Sequence, residues 1–107
     1  MKRININMYN KSMGTLIDIQ DPESFMEYHH PDAINIYADR LLYNHKKFLE
    51  KNKPYFIVCR KGNKSRKVAN LLEFYGYDVT QVSYDIDWRV FFKKKYYNNI
   101  VIWYGNI

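Results

Sequence analysis

Short apolar runs, each followed by a segment with helical spacing, constrain this chain more than any other feature. Tyr55, Phe56, Ile57 and Val58 are apolar without interruption, the pattern of a strand buried on both faces. Beyond a polar loop, Val68, Leu71, Leu72 and Tyr75 mark the inner face of a helix that Gly76 closes. Gly14 to Ile19 predicts an earlier strand, and Asp21 followed by Pro22 supplies an N-cap and first helical residue for a helix over 22–28. Pro31-Asp32 ends it, and Ala33 to Ile36 is a second short strand. From Asp39 to Lys51, Leu41, Leu42, His45, Phe48 and Leu49 recur at helical offsets, so one helix is expected there, ended by Asn52 and Pro54. Asp78 to Val82 is a further strand, Asp87 caps a short helix carrying Trp88, Val90 and Phe91, and Ile100 to Tyr104 is expected as an extra edge strand. Strict alternation with short connections implies an α/β fold with a parallel sheet covered on both faces, whose ligands bind beyond the carboxyl ends of strands.

A chain of 107 residues fits one domain, 1–107, with no repeat, low-complexity block or linker to divide it. Its 47% hydrophobic and 26% charged residues exclude a disordered or fibrous chain. The net charge of +6 favours anionic partners, from nucleic acid to sulfur oxyanions and phosphates. Eleven tyrosines read as packing in a domain of this size. A single cysteine rules out an intrachain disulfide. Together with a start that lacks an apolar stretch, it leads us to expect a reducing cytoplasm and no membrane.

That cysteine, Cys59, stands where the apolar strand ends, in Cys59-Arg-Lys-Gly-Asn-Lys-Ser65. A strand entering at Cys59 and a helix starting near Ser65 leave about six residues whose amides can curl around one point. Inward N–H groups form an anion nest, and the helix adds the positive end of its dipole. Gly62 permits the backbone angles of a tight curl, and Ser65 is expected as the N-cap. Arg60, Lys61, Lys64, Arg66 and Lys67 raise the local positive potential. Such surroundings hold a cysteine as its reactive thiolate. The alternative is a small apolar residue finishing a strand beside solvated cations; the glycine-containing cationic loop between strand and helix favours the reactive thiol.

These residues resemble a single-domain rhodanese, of the sulfurtransferase family, whose active loop has the form Cys-x-x-Gly-x-Arg-Ser. The loop here matches at Cys59, Gly62 and Ser65, with Lys64 in place of Arg. The segment from Asp18 to Ile36, "DIQDPESFMEYHHPDAINI", echoes the family's Asp-Val-Arg, Pro-Glu-Glu-Phe and Gly-His-Ile-Pro-Gly-Ala-Ile-Asn-Ile series. The similarity covers about 15–92, leaving 93–107 as a divergent tail. It implies a rhodanese-like α/β fold with a parallel sheet of about five strands. It also implies a cycle in which Cys59 takes a sulfane sulfur from thiosulfate or a persulfide and passes it to an external thiol, cyanide or a sulfur-relay protein. Arg60 and Lys61 are then the donor-binding pair, with Gly62, Asn63, Lys64 and Ser65 completing the substrate loop and no cofactor or metal required. Gln20 replaces the family's Arg, Tyr28 a Gly, and the paired glycines near Tyr84 to Trp88 are missing.

The second reading from these departures is a domain that only docks a protein partner. Phosphatases of related architecture place Arg six positions after Cys; here that position is Ser65, and Arg66 is one place late. A metal site from His29, His30, His45 and Cys59 is not favoured, because adjacent histidines do not readily face one ion. Nucleic-acid binding has only charge and tyrosines behind it. We therefore expect a monomer that meets small sulfur anions. Asp18, ending the first strand, is expected to serve structure rather than chemistry.

Overall fold

A computed structural model describes residues 1–83 in full and, beyond them, the backbone of 96–97 and 100–101. Strand β1 (Lys2–Asn5) is followed by two single 3-10 turns and β2 (Thr15–Asp18). Then come α1 (Pro22–Glu27), β3 (Ala33–Asn35), α2 (Ala38–Tyr43) and α3 (His45–Phe48). Strand β4 (Pro54–Val58), α4 (Asn63–Phe74) and β5 (Asp78–Ser83) complete the series. The five strands form one parallel sheet in the order β1-β5-β4-β2-β3. Strand β4 lies at its centre, with Ile57 opposite Ile17 on one side and Gln81 on the other. The expected α/β architecture is the one observed.

Alternation along the strands sorts the core into two clusters. Ile17, Ile57, Cys59 and Val79 gather with Ala38 and Leu41 of α2 and with Val68, Ala69 and Leu72 of α4. Leu16, Phe56, Val58 and Val82 gather with Tyr9 on the other face, against the half-buried Ile4, Ile6 and Ala33. Ile17, Leu41, Ile57 and Leu72 are essentially inaccessible to solvent. Burial of each is worth about 1.5–3 kcal/mol. Along β4, Tyr55, Ile57 and Cys59 point to the α4 side, so the thiol's direction is set by the same alternation that builds the core.

Several boundaries differ from those the sequence predicts. The first strand of the sheet is β1, which pairs with β5 from Lys2↔Thr80 to Asn5↔Ser83 and lies before the first strand predicted from the sequence. The single helix expected from Asp39 to Lys51 is two, because Asn44 interrupts it. Asn44, at φ −117° and ψ 32°, leaves helical geometry, and its side-chain amide donates to the Arg40 carbonyl at 3.2 Å beside the bond from its own backbone N–H. The helix after the cysteine loop begins at Asn63, and its N-cap is Gly62, not Ser65. Gly76, at φ 99°, does follow that helix, and the Tyr77 N–H closes on the Leu72 carbonyl at 3.0 Å, the left-handed turn that glycine favours. Ile100–Val101 does not extend the main sheet; it pairs antiparallel with Tyr96–Tyr97. The helix expected at Asp87 to Phe91 lies outside the described residues, as do residues 102–104.

Candidate active site

Cys59 follows the last residue of the central strand, and its side chain passes beneath the first turn of α4. Two backbone amides point at its Sγ, Gly62 N at 3.2 Å and Ser65 N at 3.2 Å. Among the described residues, both hydrogen bonds to the sulfur come from backbone. Gly62 stands at φ 84° and ψ −24°, a conformation costing other residues about 1–2 kcal/mol. This lets the chain turn from strand to helix within four residues, 59–62, while presenting its N–H inward. The loop is therefore shorter than the six residues expected, and tighter. Cys59 is 7% exposed, so the dipoles act in a medium that screens them little.

A second layer holds these amides in place. The Gly62 carbonyl, on the far side of the loop from the sulfur-facing amides, accepts from the Ser65 hydroxyl at 3.0 Å and from the Gln81 side-chain amide at 2.8 Å. The same Gln81 Nε2 lies 3.2 Å from Ser65 Oγ. Ser65 is fully buried and Gln81 nearly so. Ser65 thus belongs to the loop, as expected, but as a residue inside the first turn rather than its cap. Gln81 was not foreseen; its signal is a lone long amide in the buried run Val79-Thr80-Gln81-Val82.

The cations occupy the outside. Arg60 donates to Glu27 Oε1 at 3.0 Å and to the Ser24 carbonyl at 3.3 Å, and its guanidinium lies 5.7 Å from the Tyr28 ring. It ties the loop to the end of α1. Lys64 Nζ sits 4.7 Å from the Tyr37 ring centroid. Lys61, Asn63, Arg66 and Lys67 are exposed. The structure thus brings Cys59, Gly62 and Ser65 together, while Arg60 and Lys64 rest on neighbouring elements. The contacts of Arg60 with α1 and Tyr28 had no signal in the local sequence.

Asp18, buried at the end of β2, accepts from Gln20 N at 2.9 Å and Gln20 Nε2 at 2.8 Å. Burial pushes its carboxyl above the usual value, and the Gln20 hydrogen bonds, His29 and Arg60 pull the other way. Asn35 Nδ2 braces the same corner by donating to the Asp18 and Gln20 carbonyls at 3.0 and 2.8 Å. The three histidines are engaged locally. His29 Nδ1 donates to the Phe25 carbonyl at 2.6 Å, His30 Nδ1 accepts from Asp32 N at 3.1 Å, and His45 Nδ1 pairs with the Tyr77 hydroxyl at 2.8 Å. Among the described residues no three His, Cys, Asp or Glu side chains gather as a metal site, and no helix is long and apolar enough to cross a membrane.

Comparison with known proteins fits this arrangement. The family model described as Rhodanese-like domain matches residues 4–102, a range that begins within β1 and reaches past the segment resembled in the sequence. Three solved structures are similar in fold. A rhodanese-like domain protein from Staphylococcus aureus is 28% identical, covers 78% of this chain and 85% of its own, and superposes with a TM-score of 0.67. A rhodanese-related protein from Thermoplasma volcanium is 26% identical over 78% of this chain and 84% of its own, with a TM-score of 0.68. A protein from Staphylococcus saprophyticus is 22% identical over 81% and 91%, with a TM-score of 0.67. With a thiol in an amide nest at the end of the central strand of a five-stranded parallel sheet, and a family match over nearly its whole length, the chain belongs to the rhodanese-like domain family.

Proposed function

We propose that this protein is a sulfurtransferase that carries sulfane sulfur on Cys59. The observation behind the reading is the pair of amides from Gly62 and Ser65 on the sulfur. They favour a negative charge there, first on the thiolate and then on the terminal sulfur of a persulfide. In the first step the Cys59 thiolate attacks the outer sulfur of thiosulfate. A sulfur–sulfur bond forms on Cys59 as the bond to the sulfonate breaks, and the electron pair leaves with sulfite. In the second, cyanide or an external thiolate attacks the persulfide's terminal sulfur and leaves with it, restoring the Cys59 thiolate. The chain contains one cysteine, so the acceptor is a separate molecule: cyanide in an assay, a small thiol or a sulfur-relay protein. A persulfide serves as donor in the same way, with a thiolate as leaving group. The exposed Lys61 and the outer cations give an anionic donor its approach.

One observation favours the second reading, a domain that only docks a partner. Arg60, expected on the donor, is engaged by Glu27, the Ser24 carbonyl and Tyr28. Thiocyanate formation from thiosulfate and cyanide separates the two. The wild-type chain is expected to turn over and Cys59→Ser to be inactive with an unchanged far-ultraviolet circular dichroism spectrum. Absence of turnover in the wild type, or equal turnover in the variant, contradicts the enzyme reading.

A further inference from the structure

We propose that Gln81 is a positioning residue for the sulfur carrier: from β5 it fixes the peptide geometry that aims the Gly62 and Ser65 amides at Cys59. Its catalytic meaning rests on the sulfur-transfer reading above; its geometry does not. Residues Val79, Gln81 and Ile57 share the sheet face under α4, and Gln81 stands opposite Ile57, two residues before the thiol. A glutamine at that place is 1% exposed among apolar neighbours, where an aliphatic side chain would pack without any polar group to desolvate. Its Nε2 reaches the Gly62 carbonyl at 2.8 Å and Ser65 Oγ at 3.2 Å, while its Oε1 is buried with no hydrogen-bond partner among the described residues. Turning the amide over would set oxygen against the Gly62 carbonyl, so the donor assignment is the one the contacts allow.

The Gly62 carbonyl belongs to the peptide shared with Asn63, so holding it fixes the ψ of Gly62 and with it the left-handed turn that carries the Gly62 N–H inward. Ser65 Oγ, Gln81 Nε2 and the Arg66 N–H all converge on the Gly62 carbonyl. Ser65, in turn, contributes its hydroxyl to that carbonyl and its own N–H to the sulfur. Gln81 touches both members of this pair and never the sulfur. Without its donor the carbonyl loses a strong partner, and the Ser65 hydroxyl loses the group that holds its proton toward Gly62. The loop then relaxes and the two amides no longer converge on Sγ.

The test uses Gln81→Met, which keeps reach and volume but has no donor, and follows iodoacetamide alkylation of Cys59 against pH beside thiosulfate turnover and thermal unfolding. The inference predicts that alkylation at neutral pH slows roughly five- to tenfold and that its pH profile is displaced from the wild type's. It also predicts a fall in kcat, with KM for thiosulfate changed by less than about twofold, because the approach of the donor depends on the outer cations. A lowered unfolding temperature with an unmoved pH profile overturns it, since that is what a purely structural glutamine gives. If the wild type turns over no sulfur but Gln81→Met shifts the alkylation profile, the positioning role stands and the sulfur-transfer reading falls. Should Gln81→Met fail to fold, Gln81→Glu serves, because its carboxyl donates to the Gly62 carbonyl only when protonated. Its alkylation rate relative to wild type is expected to rise toward one as the pH falls. A pH-independent ratio overturns the inference.

Discussion

The two halves of the Cys59 loop are built from opposite materials. The inner half, a half-buried Gly62 and a buried Ser65 with the buried Gln81 behind them, is hydrogen-bonded and made of uncharged groups. The outer half carries Arg60, Lys61 and Lys64, of which Arg60 leans on α1 and Lys64 on Tyr37. Among the described residues, the hydrogen bonds to the sulfur come from the inner half. Amide dipoles at 3.2 Å from a sulfur that is 7% exposed act strongly, whereas charges on exposed side chains such as Lys61 and Lys64 are screened over about 8–10 Å at ordinary ionic strength. On the proposed function this implies a division of labour: the inner amides would stabilise the reacting sulfur, and the surface cations would attract what reacts with it.

The largest expected effect comes from breaking the inner half. Gly62→Ala places a Cβ at a positive φ, where the nearest neighbour, Gln81 Nε2 at 3.8 Å, leaves room. The cost is therefore conformational. Unfolding free energy is expected to fall by about 1–2 kcal/mol, and turnover by roughly tenfold or more as the loop shifts one amide away from the sulfur. A chemical denaturation curve and a thiosulfate assay check both; a loss of stability with full turnover would show that the positive-φ residue is not what aims the amide.

A smaller effect, and of a different kind, is expected in the outer half. Arg60→Ala removes a side chain that is only 19% exposed, with its contacts to Glu27, the Ser24 carbonyl and Tyr28, so stability is expected to fall by about 1–2 kcal/mol. KM for thiosulfate rises while kcat is nearly kept, and the gap between variant and wild type narrows as salt is added. A fall in kcat that salt does not alter would move Arg60 into the group that handles the sulfur itself.

The smallest effect lies away from the loop and concerns pH. Burial holds the His30 imidazole below its ordinary value of 6.5, with Asp32 opposing and His29 assisting. The unfolded chain then binds a proton at a higher pH than the folded one, so stability is kept above 6.5 and lost as pH falls through that value toward the folded one. Asp18 has the opposite sign. Its carboxyl is raised above 3.8 by burial, so the folded chain takes up that proton first, and acidification relieves a cost present at neutral pH. His30→Gln is expected to flatten the decline of unfolding free energy between about pH 7 and pH 5, measured by urea titration at each pH; an unchanged slope would place the acid-sensitive group elsewhere.

How much of this was legible in the sequence follows the same inner and outer division. The strand at Tyr55 to Val58 and the stripe Val68, Leu71, Leu72 and Tyr75 announce a strand–loop–helix unit because their periods, two and 3.6, differ plainly. Cys59, Gly62 and Ser65 are read directly from the loop. The role of Ser65 was not, since a serine three residues into a helix and a serine at its cap differ only in where the chain turns, and Gly62 at φ 84° makes the turn early. The break at Asn44 was hidden beneath a continuous apolar stripe. Strand β1 escaped notice because Ile4 and Ile6 alternate with asparagines over too few residues, and its pairing with β5 joins positions 78 residues apart. Gln81 was invisible for a related reason: its polarity makes sense only once β5 lies beside β4 and beneath the first turn of α4. Long-range adjacency, not local propensity, is what the sequence kept to itself.

The account's central claim, that amides converging on Cys59 let it carry sulfur, is met most directly by intact mass spectrometry of the protein incubated with thiosulfate and then with cyanide. The account predicts a gain of one sulfur atom, mapped to the peptide containing Cys59 and removed again by cyanide. An unchanged mass after thiosulfate, with the thiol of a folded protein still free to be alkylated, would contradict it.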